Sequence, residues 1–192
     1  MAGYDRAWLV LYGAPATYDP GHQAEVWLGR HGFKAFYQSY LGNYVTLYAL
    51  GEPETPPLTS SGAQFTGGPR LVGFAFEPAA ARPGDVVYLT LQWQADAPLP
   101  LDYTVFTHLL WPDGTVLTQS DSQPVSGTRP TTSWQPGELI VDRYALLIPA
   151  DSPPGDYALE IGLYDLPSNT RLTLDQPGAP DHLILGTIRL AP

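Results

Sequence analysis

Val86-Val87-Tyr88-Leu89-Thr90-Leu91-Gln92-Trp93-Gln94-Ala95 is the stretch that decides the fold. Val87, Leu89, Leu91 and Trp93 fall on one side of an extended chain, and Tyr88, Thr90, Gln92 and Gln94 fall on the other. Successive side chains of a strand point to opposite faces, so this period of two predicts an antiparallel strand with one face in a core. Pro83-Gly84-Asp85 supplies a turn before it. The same rhythm continues outward in both directions. Leu71–Glu77 precedes it; Asp102–Trp111, Thr115–Asp121, Leu139–Ile148, Asp156–Asp165, Arg171–Leu174 and Leu183–Leu190 follow. Pro112-Asp113-Gly114 is a tight-turn signal that folds Thr115–Asp121 back as a hairpin. In Asp156–Asp165, Tyr157, Leu159, Ile161 and Leu163 share one face. About eight strands in roughly 120 residues predict a mainly β, immunoglobulin-like antiparallel β-sandwich over residues 71–192. The long gap from Ser122 to Glu138 holds Pro124, Pro130 and Pro136, and is where the chain is expected to cross between sheets. Gly155-Asp156-Tyr157 fits a tyrosine corner, in which a Tyr hydroxyl ties down a neighbouring loop.

Residues 1–50 have a different pattern. Ala7–Tyr12 is an unbroken apolar run, as in a strand buried on both faces. Asp19-Pro20 suits a helix start, with Asp as N-cap and Pro in the first turn. Ala24, Trp27, Leu28 and His31 then lie on one face of a helix over about 20–31, and Gly32 is placed to end it in a left-handed cap. Ala35–Tyr40 and Tyr44–Leu50 flank Leu41-Gly42-Asn43 as a hairpin. The order is β-α-β-β, a small α/β segment expected to dock on the sandwich, with Trp8 and Trp27 packing sheet against helix. Residues 51–70, rich in Pro, Ser and Gly, are expected to be a linker or strap.

Composition narrows the function. The formal net charge is −10 with nine Lys and Arg in 192 residues, so a phosphate backbone or anionic lipid is repelled and nucleic-acid binding is excluded as a reading. The absence of Cys removes disulfides, zinc–thiolate sites and thiol nucleophiles. No run approaches the ~18 apolar residues of a membrane span, and no basic-then-apolar leader is present. The chain is therefore expected to be cytosolic or a piece of a longer protein.

No constellation carries a recognisable catalytic site. Asp121 and Asp142 stand at opposite ends of the crossover loop, and paired carboxylates about 5–9 Å apart can hydrolyse a glycosidic bond. Against that stands backbone capping by Asp121, with Asp142 either capping a strand or pairing with Arg129 or Arg143. His22, His31, His108 and His182 show no metal-ligand spacing. The loops at Asp113-Gly114 and Asp175–Asp181 lack the spacing of a calcium loop. No cofactor or metal is expected. Aromatic residues are the most suggestive feature, with five Trp and 12 Tyr. Trp93 belongs to the core. Trp111, Trp134, Tyr88 and Tyr144, with Asp121 and Asp142, remain as a possible ligand surface on which sugar rings stack.

Several phrases carry a resemblance: Arg6–Tyr12, Val26-Trp27-Leu28, Tyr103–Leu110, Gln119–Pro124, Pro130–Trp134, Pro136-Gly137-Glu138 and Gly155-Asp156-Tyr157. Across nearly the whole chain these resemble the soluble C-terminal module of bacterial multi-pass membrane glycosyltransferases of the protein mannosyltransferase and aminoarabinose transferase class. The resemblance implies a non-catalytic accessory domain on the extracytoplasmic side of the membrane, touching acceptor, glycan or its membrane-embedded parent. The parent's catalytic carboxylate would lie in the membrane portion, so no catalytic residue transfers to this chain. A free-standing carbohydrate-binding module and a structural or adhesion spacer are the alternatives, and fold alone does not separate them.

Overall fold

In the computed structural model, residues 6–13, 20, 21, 23–50 and 57–191 are described. The decisive stretch is strand β7 (Val86–Ala95), central in a four-stranded sheet. Its neighbours are β10 (Ile140–Leu147) on one side and β5 (Pro69–Glu77) on the other, with β4 (Thr59–Gln64) outside β5, all antiparallel. The facing sheet has the order β6 (Ala80–Ala81), β13 (Leu183–Leu190), β11 (Gly155–Asp165), β8 (Tyr103–Leu110), β9 (Val116–Gln119). A short β12 (Thr170–Arg171) pairs with β11. Val87, Leu89, Leu91 and Trp93 are wholly buried between the sheets, with Val105, Leu109, Leu159, Ile161 and Leu163 from the other side. The mainly β sandwich read from the two-residue period is thus the observed fold, and burial of these side chains is its main source of stability.

The crossover runs as expected, from β9 in one sheet to β10 in the other. Tyr157 closes a tyrosine corner: its hydroxyl donates to the Pro153 carbonyl at 2.7 Å. The strap expected over 51–70 needs correction. Thr59–Gln64 is β4 and Pro69 already opens β5, because the outer edge of β5 offers unpaired backbone groups that the polar stretch satisfies. Residues 51–56 lie outside the described residues.

The front segment forms a third layer. β1 (Arg6–Leu11), β3 (Asn43–Leu50) and β2 (Gly32–Tyr40) make an antiparallel sheet in that order. Leu41 and Gly42, both at positive φ, form the two-residue turn between β2 and β3. Phe33, Ala35, Leu47 and Ala49 pack on Val86 and Ala145, on the outer side of β7 and β10. Helix α1 (Gln23–His31) lies beside β2 and β3. Asp19, the expected N-cap, lies outside the described residues. Gly32 does not take a left-handed cap. It enters β2 directly, and a Cβ there would approach the Ala49 carbonyl to 2.8 Å, so a close backbone contact is what requires glycine.

Two burial expectations for this segment fail. β1 is an edge strand with alternating exposure, not a doubly buried one. Trp8 and Trp27 are 59% and 43% exposed. Trp8 meets Phe36 edge-on, and Trp27 stacks on His31 one helical turn away. It is β2 that packs on β10, and β1 lies on the far side of β3 from it.

Candidate functional site

The outer face of the larger sheet carries a polar cluster built by register. Cross-strand pairing of β8 with β11 sets Phe106 opposite Gly162, His108 opposite Glu160 and Thr104 opposite Tyr164. These are the positions left facing away from the core once Val105, Leu109, Ile161 and Leu163 turn inward. Gly162 is needed because a Cβ would collide with the Phe106 ring. That close approach lets Phe106 lie flat, stacked on His108 at 4.8 Å. The Arg171 guanidinium covers the ring at 4.2 Å, a cation–π contact. Arg171 also reaches Glu160 at 3.7 Å and Asp181 at 3.6 Å. His108 is held between Glu160 at Nδ1 (3.3 Å) and Asp121 at Nε2 (3.6 Å). His182 donates to Asp181 at 3.0 Å. That hydrogen bond, with the positive charge of Arg171, holds the Asp181 carboxyl below the usual range. Above this network lies an open cleft of about 510 Å³ lined by His108, Gln119, Asp121, Tyr164, Asn169, Arg171, Thr173 and Asp181, with Phe106 at its floor. Its walls thus offer acceptors (Asp121, Asp181), donors (Arg171, the Asn169 amide) and one phenol ring.

A second cleft, of about 440 Å³, lies in the seam between the front layer and the crossover loop. Glu25, Val26 and Gly29 of α1, Lys34 and Tyr48 form one wall, and Val125–Thr128 form the other. Lys34 is the chain's single lysine. Desolvation lowers its pKa, which the Glu25 charge partly offsets. Burial pushes the Tyr48 phenol up to about 12. The loop wall is unusual: Val125, Ser126 and Gly127 all have positive φ (55°, 53° and 84°). A β-branched residue in the left-handed region is strained and persists only where its surroundings enforce it.

Asp142 does the enforcing. It is wholly buried on β10 and accepts from the Val125 amide at 2.8 Å and from the Tyr144 hydroxyl at 2.7 Å. Burial raises its carboxyl to about 6, while the bonds from Tyr144 and Val125 pull the other way. The Tyr144 phenol is driven well above its ordinary value by burial and by the neighbouring carboxylate. The Trp93 indole N–H makes no hydrogen bond of normal geometry, yet its position favours the ionised form of Asp142.

The structure redistributes the six candidate ligand residues. Asp142 and Tyr144 are interior groups that brace the crossover turn. Trp134 is also interior, 1% exposed, with its indole N–H on the Arg129 carbonyl. Its surroundings in the Pro-rich loop look polar in sequence, but the loop folds over the open end of the sandwich and carries Trp134 into it. Tyr88 is covered by the front layer, with Phe33 edge-on at 5.0 Å. Trp111 is half-buried against the Tyr157 ring. Of the six, Asp121 lines the outer-face cleft. Asp142 does not pair with Arg129, which instead forks onto Glu138 with two bonds of 2.8 Å. The two-carboxylate hydrolase is not assembled, because one of its acids is sealed in the core. Glu160, Tyr164 and Arg171 are not among the candidate residues of the sequence, and Asp181 stands there only as the end of the Asp175–Asp181 loop. Glu160 and Tyr164 were signalled by the polar side of β11, whereas Arg171 on β12 and Asp181 in the loop before β13 reach the cluster through the tertiary fold.

No family model matches this chain, and no curated protein matches it. Among solved structures it is similar to the C-terminal domain of wzt, with 18% identity, 73% of this chain and 83% of that chain covered, and a TM-score of 0.47. It is also similar to a Niemann-Pick type C2 protein from Japanese carpenter ant, at 5% identity over 69% of this chain and 96% of that one, TM-score 0.38. A third is Spo0M, a sporulation control protein from Bacillus subtilis, at 16% identity, 66% and 50% coverage, TM-score 0.33.

Proposed function

We propose that this chain is a non-catalytic glycan-binding domain, and that sugar sits in the cleft on the outer face of the larger sheet. The single observation that carries this is the pairing of fixed donors and acceptors around the Tyr164 ring. A sugar presents a ring of hydroxyls, each both donor and acceptor, beside apolar C–H faces. It is matched by Asp121, Asp181, Asn169 and Arg171 at the rim and by an aromatic wall. The rim is held in place before any ligand arrives, since Arg171 is clamped by Phe106, Glu160 and Asp181. Preorganisation of this kind lowers the cost of ordering side chains on binding.

The resemblance to soluble modules of membrane glycosyltransferases supports placing the domain on the extracytoplasmic side, as an accessory that presents acceptor or glycan to a membrane-embedded parent. No helix among the described residues is long and apolar enough to cross a membrane, so the anchoring would fall to the parent.

The test is a glycan array followed by ligand-observed NMR on positive sugars, with wild type and Arg171→Ala. Loss of charged hydrogen bonds at Arg171 should weaken binding about tenfold or more. No binding of any glycan at millimolar concentration, or an Arg171→Ala variant that binds as well as wild type, would overturn the proposal.

A further inference from the structure

The clefts described above have lining residues in common with two smaller cavities. The outer-face cleft shares Gln119 and Asp121 with a smaller cavity of about 210 Å³, whose other walls are Lys34, Phe36, Tyr37 and Ser120. Lys34 in turn lines the seam cleft beneath α1. Gly29, Val125 and Ser126 then continue into a cavity of about 290 Å³ reaching Val141 and Arg143 on β10. Each neighbouring pair shares lining residues, so the four cavities lie in succession along one route. It starts on the larger sheet, rounds the β9 edge, follows β2 and ends between α1 and the left-handed turn.

We infer that the ligand is a linear polyhydroxylated chain of several sugar units lying along this track, not a single terminal sugar. The inference rests on the glycan-binding proposal and deepens it. Three features fit an extended occupant. The polar groups recur along the route instead of converging at one point: Asp121 and Arg171 at one end, Gln119 and Lys34 midway, Glu25, Ser126 and Arg143 at the other. Aromatic side faces recur beside them at Tyr164, Phe36 and Tyr37, the last two 38% and 48% exposed. Lys34 stands over the Tyr37 ring at 4.8 Å, which places its ammonium beside the smallest of the four cavities. Finally, the far wall is built from strained backbone held by a buried carboxylate, and strain maintained in that way tends to mark a ligand clamp.

The experiment uses an array of linear glucose, galactose and mannose oligosaccharides, and their uronic acid counterparts, of one to six units. Affinities of positive series are then measured by titration calorimetry. Wild type is compared with Gly29→Phe, which projects into the space opposite Ser126, and with Gly29→Ala, whose Cβ would sit at an ordinary 3.9 Å from the Ser126 hydroxyl. The expected result is an affinity that rises about tenfold or more from one unit to four in wild type and Gly29→Ala. In Gly29→Phe that gain is lost while binding of the shortest ligand is unchanged. If short sugars bind and affinity stays flat with length, the extended track is refuted and the glycan-binding proposal stands. If length raises affinity equally in Gly29→Phe, the seam is not the route and the inference falls. If nothing binds at any length, the underlying proposal fails with it.

Discussion

Replacing Asp142 by Asn should change how stability depends on pH, by an amount set by the burial of one carboxyl. In the unfolded chain that group titrates near 3.8; in the folded protein burial raises it to about 6. The folded state therefore holds the proton more tightly than the unfolded state. Stability linked to this proton is fully present below 3.8 and is lost as pH rises through about 6. At 1.36 kcal/mol for each pH unit, the full swing is about 3 kcal/mol. Asn has the same shape and cannot titrate. Its carbonyl still accepts from the Val125 amide, and the Tyr144 hydroxyl has the Ser122 carbonyl, now 3.4 Å away, to turn toward. Urea unfolding followed by tryptophan fluorescence at pH 4, 5, 6 and 7 reads the difference between variant and wild type. The variant should gain about 2 kcal/mol relative to wild type between pH 4 and pH 7, since part of the swing lies below pH 4. A constant offset between the chains is immaterial. If the difference is flat across that range, Asp142 is not titrating from the folded state and the account of its burial is wrong.

Two further substitutions follow from packing. Trp134→Ala should destabilise by about 3–5 kcal/mol in chemical unfolding, as expected for a core aromatic; a loss under about 1 kcal/mol would return Trp134 to the surface. Gly162→Ala forces Phe106 away from β11 and should cost about 1–3 kcal/mol, while shifting the Arg171 and His108 resonances in NMR spectra; unchanged resonances would mean that Phe106 does not support the cleft.

Much of the fold was open to a reader of the chain alone. Most strand positions after Leu71, the tight turn at Pro112-Asp113-Gly114 and the Tyr157 corner are local in origin, whereas of the strand expected over Arg171–Leu174 only Arg171 lies in one, the short β12. A period of two, a turn residue or a short loop closes on its own neighbours. The same alternation sets His108 on the side of its strand opposite Val105 and Leu109. What sequence could not give was which outward faces become covered. Tyr88 sits on the polar side of its strand and is partly covered because a separate layer lands there. Trp134 differs from a surface aromatic only through the loop that carries it inward, and Tyr144 only through the register that sets it opposite Leu89 on the inner face of β10.

The order of greasy and polar residues thus dictated strands, turns and the inward face of each sheet, because those depend on contacts between residues near in the chain and on which side of a strand is oily. The clefts, the brace from Asp142 to the left-handed turn, and the meeting of Phe106, Glu160 and Arg171 depend on register and on the stacking of a third layer. Those are set by long-range complementarity of shape and charge, which only the assembled tertiary structure specifies.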